Sequence, residues 1–312
     1  MKHFLKKVFT YLLIFICFLL VYGVVCDLLY KNKNMFLGNT KRYWQLSIKN
    51  SDYDYAVIGS SRAYGSIDVN LLDSLTNQNG INLGLNGSGF KENYITVKLF
   101  LLNKNKMDKI YLQIDPYSFM SKESFSNSFH AYAYLPYWDS DETIKDVLHE
   151  EIPLIKDSPF YIPYLGYFIY NNYYSPFQII NSFRKYDTFC KSSEFNCING
   201  NNIMEKQSIS NQPNINNAGI LKFTMNKEDN YYYNQILELA AQNNIQMITF
   251  TAPTLDNFDD EFENFLQNIK SDVYFKSGMD WMSQEKYFIN KTHINYEGRK
   301  VFTTEFANFL KR

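Results

Sequence analysis

The sequence lacks an excess of charge of either sign. It has 31 basic and 32 acidic side chains in 312 residues, which gives a formal net charge of −1. A chain with this balance has no general attraction to nucleic acid or anionic lipid, so we expect no nucleic-acid partner. Histidine is also scarce. There are four, with no H-x-x-x-H spacing and no Cys/His cluster, and we therefore expect no metal site and no cofactor.

What the sequence does have is apolar and aromatic side chains. Hydrophobic residues make up 46% of the chain and charged residues 20%, which excludes a disordered protein and is enough for a sizeable core. The aromatic share is 18%, with 26 Tyr and 26 Phe. The longest run of uninterrupted hydrophobicity lies at the N-terminus.

This N-terminal run, Val8 to Cys26, contains no charged residue. As a helix it would span about 28 Å, close to the thickness of the hydrocarbon core of a bilayer. A cleaved signal peptide is the alternative, but its apolar region is usually shorter, about 7–15 residues. We predict one transmembrane helix that stays in place as an anchor within residues 1–30, followed by a juxtamembrane linker over residues 31–52.

Two features bear on the orientation of the anchor. Lysines flank the apolar run on both sides, so the positive-inside rule is nearly a tie. Cys190 and Cys197 are the only cysteines beyond the apolar run. They could close a small disulfide loop in an oxidising compartment, or be two unrelated thiols. We predict a cell-membrane protein with a short cytoplasmic tail and a domain on the extracytoplasmic side.

Apolar runs alternate with helical patterns over most of residues 53–312, which favours an α/β fold with a parallel sheet. The predicted strands are Tyr55–Ile58, Ile81–Leu83, Lys109–Ile114, Ile245–Thr251 and Val273–Phe275. The predicted helices are Val69–Leu75, Lys91–Leu102, Tyr232–Gln242, Phe258–Ile269 and Glu297–Leu310.

The alternation stops over about residues 116–219, which are rich in Tyr, Phe, Asn and Ser. A structureless loop of this length is implausible in a compact domain, so we predict an inserted subdomain or lid. Its aromatic side chains could form a surface on which glycans stack, or they could pack on the sheet or near the membrane.

Three segments could carry chemistry. Gly59-Ser60-Ser61 follows the first strand, at the edge of a parallel sheet where ligands bind, and a serine here could be a nucleophile or simple turn chemistry. The glycine-rich loop Asn82–Gly89 could present N–H groups to an oxyanion or only connect a strand to a helix. His293, directly before the last helix, could be a general base or a structural loop residue.

Together and in this order, the three segments resemble the SGNH (GDSL-like) hydrolase superfamily. The resemblance covers about residues 53–115 and 220–312. It implies a three-layer, flavodoxin-like α/β core. It places Ser61 as the nucleophile and His293 as the base, with the N–H groups of Ser61 and Gly87 as the oxyanion hole. Substrate contacts are assigned to Arg62, Asn86 and Asp115.

The sequence departs from the family pattern at two places. Asn290 stands where the family usually has an aspartate three residues before the histidine. It can orient the imidazole but supplies no negative charge, so charge support would be weaker. The site would then be a Ser–His dyad, or a carboxylate from elsewhere, such as Asp280, would substitute. The usual Gly-x-Asn-Asp block is replaced by Ile114-Asp115-Pro116. Asp115 could bind substrate, orient Arg62 or cap the next turn.

These features predict a membrane-anchored serine esterase or O-acyltransferase that acts on esters of cell-envelope glycans through an acyl-enzyme. Similar anchored members of the superfamily work beside a multi-pass membrane O-acyltransferase, which the resemblance implies as a possible partner. The alternative is a non-catalytic SGNH-like envelope protein that binds glycan or scaffolds an acylation complex.

Overall fold

The structure is a computed structural model that describes residues 1–31, 41–120, 129–152, 166–167, 190, 194–203, 220–224, 226–269, 271–277 and 284–312. The chain divides into two compact units. The first comprises Met1–Ser47 and Glu123–Ser192, and the second comprises Ile48–Lys122 and Ser193–Arg312. The predicted division into tail, linker and domain with an insertion over 116–219 stays a prediction.

The first unit contains the N-terminal apolar helix. Its elements are α1 (Lys2–Tyr30), α2 (Lys41–Leu46), a 3-10 helix (Phe129–Tyr137) and α7 (Glu142–Glu151). Helix α1 is long and apolar enough to cross a membrane over Lys2–Leu29. The Tyr137 hydroxyl donates to the carbonyl oxygen of Leu46 at 3.0 Å, and the Tyr167 hydroxyl donates to Asp27 near the end of α1.

The second unit is an α/β structure. Its strands are β1 (Asp52–Ile58), β2 (Gly80–Asn82), β3 (Lys106–Gln113), β4 (Ile220–Leu221), β5 (Gln246–Thr251), β6 (Asn257–Phe258), β7 (Val273–Lys276), β8 (Phe288–Asn290) and β9 (His293–Ile294). Its helices are α3 (Ser61–Ser66), α4 (Val69–Thr76), α5 (Phe90–Leu102), α6 (Pro116–Met120), α8 (Lys227–Gln242), α9 (Asp260–Gln267) and α10 (Tyr296–Leu310).

Five strands form the central sheet in the order β2-β1-β3-β5-β7, and all neighbours are parallel. The chain leaves β1 for the edge strand β2 and returns on the other side of β1 as β3. This reversal places a topological switch point between β1 and β3. Ligands bind outside the carboxyl ends of the strands at such a point. The prediction of an α/β fold with a parallel sheet flanked by helices is confirmed.

One face of the sheet carries the main hydrophobic core. Because side chains alternate along a strand, Tyr55 and Val57 of β1 point to the same face as Tyr111 of β3 and Phe250 of β5. Helices α3, α4 and α10 cover this face. Phe302 and Phe306 of α10 are fully buried there, and their rings pack against Phe250 and Phe275.

Helices α5 and α8 pack together and provide a second aromatic cluster. Phe90 and Tyr94 of α5 contact Tyr233 and Tyr232 of α8, with ring centroids 5.5 and 5.8 Å apart. Helix α8 also contacts β5. Much of the aromatic richness of the sequence therefore serves packing within the α/β core.

Strands β1 and β3 each begin three residues earlier than predicted, and two helices begin at other residues than predicted for local reasons. The helix expected over Phe258–Ile269 begins only at Asp260, because Asn257 and Phe258 pair with Ile220 and Leu221 as a short parallel ladder. The helix expected from Tyr232 begins at Lys227, because the Asn226 side chain accepts the Glu228 N–H and caps an earlier turn.

Only parts of the predicted insertion fall on described residues. Helices α6 and α7, the 3-10 helix and residues 194–203 lie within residues 116–219. The aromatic segments over residues 153–165 and 168–189 lie outside the described residues, so the subdomain and its glycan surface stay predictions. Cys190 and Cys197 are both disulfide-bonded, whereas Cys17 and Cys26 are free thiols.

Candidate functional site

The turn that carries Ser61 begins where β1 ends. Gly59 has a φ of 148°, and a side chain there would place its Cβ 2.6 Å from the Cβ of Gln113, so only glycine fits. The next residue, Ser60, caps α3 by accepting the Arg62 N–H at 3.2 Å. Ser61 is thus the first residue of α3, and its own N–H has no intrahelical acceptor.

Gln113, the last residue of β3, holds this turn in place. Its side-chain oxygen accepts the Ser60 N–H at 2.8 Å, lies 2.9 Å from the Ser60 hydroxyl and accepts the Ala63 N–H at 3.2 Å. Its amide nitrogen donates to Asp115. The sequence analysis missed this residue. The signal was a polar amide at the end of the buried apolar run Ile110–Leu112, where a buried polar group must find partners.

His293 is placed by the start of the last helix. It lies in the short strand β9, and Asn295 then caps α10 by accepting the N–H groups of Glu297 and Gly298 at 3.1 and 3.0 Å. The Asn295 amide nitrogen donates to the carbonyl oxygen of Lys286 at 2.7 Å. Asn295, the asparagine that follows His293 in the motif, therefore has a structural role, because it holds the loop in place.

The structure brings Ser61 and His293 together. The Ser61 Oγ lies 2.8 Å from the His293 Nε2, across 232 residues of sequence. Burial lowers the pKa of His293 below its ordinary value, Arg62 lowers it further and Asp115 opposes them. The imidazole is therefore neutral at neutral pH, which is the form that accepts a proton from a hydroxyl.

Asn290 lies on the other side of the imidazole. Its Oδ1 is 3.1 Å from the His293 Nδ1 and accepts the N–H groups of Thr292 and His293, both at 3.0 Å. Because two backbone donors point at this atom, it must be the amide oxygen. The Thr292 Oγ1 lies 2.9 Å from Nδ1, and its hydroxyl donates to the same Asn290 Oδ1 at 3.2 Å. With the Thr292 proton placed there, both oxygens can accept from a proton on Nδ1, and Nε2 is left free to accept from Ser61. Asn290 and Thr292 together favour this tautomer, and neither side chain supplies a charge.

Arg62 and Asp115 form a buried ion pair beneath the site. The Arg62 Nε lies 3.0 Å from the Asp115 Oδ2, and the two side chains are 5% and 0% exposed. The guanidinium also donates to the carbonyl oxygens of Ala252 and Pro253 and lies over the Tyr117 ring. The sequence left three roles open for Asp115: binding substrate, orienting Arg62 or capping the next turn. The ion pair corresponds to the second role, in which Asp115 orients Arg62. Substrate binding by Arg62 and Asp115 stays a prediction, and the burial of both side chains does not support it.

The glycine-rich loop is tied to the nucleophile turn. The Leu85 N–H donates to the carbonyl oxygen of Gly59 at 2.9 Å, and the Ser88 Oγ lies 2.8 Å from the same oxygen. Asn86 and Gly87 lie at the exposed tip of the loop, where Gly87 has a φ of 75°. The loop thus lies beside the residues that precede Ser61. The oxyanion role of Gly87 stays a prediction.

A cavity of about 360 Å³ opens beside the Ser61–His293 pair, at the small end of the range for ligand pockets. Asn86, Tyr64, Glu194, Asn202 and Ile289 also line it. Among the described residues, no group of three or more His, Cys, Asp or Glu is placed to hold a metal ion. Asp280, considered above as a substitute carboxylate, lies outside the described residues.

The chain was compared with protein-family models and with curated proteins. No family model matches it, and no curated protein matches it. The functional interpretation therefore depends on the residues of the site.

Proposed function

We propose that the protein is a membrane-anchored serine esterase or O-acyltransferase that acts on acyl esters of cell-envelope glycans. The observation that carries this proposal is the 2.8 Å contact between the Ser61 Oγ and the His293 Nε2. The lowered pKa of His293 and its assigned tautomer both support a neutral base facing the hydroxyl.

The reaction would run in two halves. The Ser61 Oγ attacks the ester carbonyl carbon while its proton passes to the His293 Nε2, and the carbonyl oxygen becomes an oxyanion beside the N–H groups of Ser61 and Gly87. When the tetrahedral intermediate collapses, the C–O bond to the carrier breaks and the leaving oxygen takes the proton from His293. The product of this half is an acyl ester on Ser61.

The second half decides between hydrolysis and transfer. Water or a sugar hydroxyl gives its proton to the His293 Nε2 and attacks the acyl carbon. The bond from this carbon to the Ser61 Oγ then breaks, and Oγ takes the proton back from His293. Water gives a free acid, whereas a sugar hydroxyl gives a new ester. The same residues serve both outcomes.

The apolar helix α1 supports the location at a membrane. We propose that the α/β unit faces the extracytoplasmic side, and the disulfide-bonded state of Cys190 and Cys197 supports this orientation. The resemblance to anchored SGNH proteins supports a multi-pass membrane O-acyltransferase as a partner.

One observation favours the non-catalytic alternative. The groups on the His293 Nδ1 are an amide and a hydroxyl, so the imidazolium that forms in the transition state has no negative partner there. Arg62 opposes its charge, and Asp115 only partly offsets this because burial and Arg62 together lower the pKa of His293. A protein that uses this fold only to bind glycan or to scaffold an acylation complex would tolerate such a site.

Labelling with a fluorophosphonate distinguishes the two functions, because this reagent reacts only with an activated serine. We expect the full-length chain in detergent to be labelled and the Ser61→Ala variant not to be. Ser60→Ala is the matched control, since the neighbouring hydroxyl contacts Gln113 and has no base beside it, and this variant should retain labelling. Absence of labelling in the wild-type chain, together with no release of acetate from p-nitrophenyl acetate, would refute the enzyme proposal.

A further inference from the structure

One wall of the cavity beside Ser61 belongs to a short hairpin formed by residues 194–203, which we call the pocket hairpin. Phe195 pairs with Asn202 in an antiparallel bridge, and the Asn196 N–H donates to the carbonyl oxygen of Asn201 at 2.8 Å. Glu194 and Asn202 lie near the open end of the hairpin and line the cavity.

Buried polar groups fix the pocket hairpin to the core. The Asn201 side chain accepts the Val69 N–H at 3.1 Å and donates to Asp68 at 2.9 Å. Arg299, in the first turn of α10, donates to the Asn201 side chain and to the carbonyl oxygen of Asn202. Asn201 and Arg299 are 5% and 2% exposed. The pocket hairpin is therefore held in a fixed position as one wall of the cavity.

The charge of the cavity comes from Glu194. Four residues that line the cavity are ionisable, namely Arg62, Tyr64, His293 and Glu194. Tyr64 is neutral because burial raises its pKa. Arg62 is paired with Asp115, and its Nη1, which has no hydrogen-bond partner among the described residues, has no accessible surface. His293 is neutral because its pKa is lowered. The exposed carboxylate of Glu194 thus gives the described wall one formal negative charge.

The polar groups around this charge suit hydroxyl groups. Asn86 and Asn202 each offer an amide donor and an amide acceptor, and Glu194 adds carboxylate acceptors. A sugar hydroxyl both donates and accepts, so it can pair with all three side chains. A phosphate or carboxylate only accepts, and it would be repelled by Glu194.

We propose that the pocket hairpin makes the site selective for acyl esters of neutral sugars over those of sugars that carry a phosphate or a carboxylate. Glu194 and Asn202 bind the sugar hydroxyls, and Glu194 excludes the anion. This inference rests on the proposed function, because it describes the substrate of the same site.

The test compares two matched esters, the methyl glycoside of 6-O-acetylglucose and 6-O-acetylglucose 1-phosphate. Acetate released from each ester by the full-length protein in detergent is measured. We expect kcat/KM to favour the neutral ester by about three- to tenfold, a modest ratio because Glu194 is exposed to solvent. Glu194→Gln should bring the ratio near one, and Glu194→Lys should invert it.

Two further variants separate the cavity from general effects. Glu238→Lys, on the outer helix α8, changes the net charge of the protein by the same amount as Glu194→Lys. It should leave the ratio of the two kcat/KM values unchanged. Asn202→Ala keeps the backbone carbonyl that Arg299 binds, and it should raise KM for both esters severalfold with little change in kcat.

The outcomes distinguish this inference from the proposed function. Equal hydrolysis of both esters, or a ratio that Glu194→Lys does not change, overturns the substrate inference and leaves the esterase proposal standing. Hydrolysis of neither ester while Ser61 still reacts with the fluorophosphonate also overturns the inference alone. Hydrolysis of neither ester without labelling overturns both.

Discussion

The Asn290→Asp substitution should make the protein a faster esterase. The Asn290 Oδ1 lies 3.1 Å from the His293 Nδ1 and is held by two backbone N–H groups, which a carboxylate oxygen would accept equally well. The substitution therefore keeps the geometry of the site and adds a negative charge beside the imidazole. This charge stabilises the imidazolium that forms in the transition state.

The size of the effect follows from the exposure of Asn290. Unit charges about 4 Å apart interact by about 1 kcal/mol in water and about 4 kcal/mol near a protein surface. Because the Asn290 side chain is exposed, the lower end applies, and we take about 1.4 kcal/mol, which is one pKa unit and a tenfold change in rate. The pKa of His293 should rise by about one unit, and kcat/KM on the high-pH plateau by about tenfold.

The pH dependence of p-nitrophenyl acetate hydrolysis measures both effects. His293 must be neutral to act as base, so activity falls as the pH drops through its pKa, and this acid limb should move up by about one unit in the variant. Asn290→Ala removes one of the two oxygen atoms beside Nδ1 and the acceptor of the Thr292 hydroxyl, so it should lower the rate instead. If Asn290→Asp changed neither the plateau nor the acid limb while the protein stayed folded, the assigned contact between Asn290 and His293 would have no part in the chemistry.

Three predictions concern stability, measured by thermal unfolding of the full-length protein in detergent. Gly59→Ala should lower Tm sharply because of its φ of 148° and the contact with Gln113, at a cost of at least about 1–3 kcal/mol, whereas Gly65→Ala, with open space around it, should not lower Tm. Gln113→Leu should cost about 3 kcal/mol, or about 6–12 °C, since it leaves buried donors unpaired. Burial raises the pKa of Asp229 from 3.8 to about 7, so the folded state keeps a proton that the unfolded state has lost. Wild-type stability should therefore fall as pH rises across this range, and Asp229→Asn should reduce the fall. An unchanged Tm for Gly59→Ala or Gln113→Leu would contradict the role given to the turn contacts of that residue. An Asp229→Asn variant with the wild-type pH dependence would contradict the raised pKa of Asp229.

The parts of the fold that could be predicted from sequence are those with a local pattern. The second halves of β1 and β3 and the middle of β5 are largely apolar and buried, a pattern that is typical of parallel strands covered on both faces. Ser61 and His293 were identified because each follows a strand or precedes a helix in a short motif. Their contact across 232 residues depends on the packing of β9 and α10 against α3, which neither motif shows alone.

What could not be predicted depends on polar contacts between distant segments. Gln113 is a single amide whose partners lie 50 and 53 residues away, in the turn that it holds. The pocket hairpin is a run of asparagines with no hydrophobic period, and it is fixed by Asn201 and by Arg299 from the last helix. No local pattern shows which buried polar groups will pair, so the wall of the cavity was missed.

The central claim is that Ser61, activated by His293, forms an acyl-enzyme. The most direct measurement is the peptide mass of the full-length protein after brief reaction with p-nitrophenyl acetate and an acid quench. The account predicts an acetyl group on Ser61 that is absent in the Ser61→Ala variant and strongly reduced in His293→Ala. An adduct on Ser60, no adduct at all, or an equal adduct without His293 would contradict it.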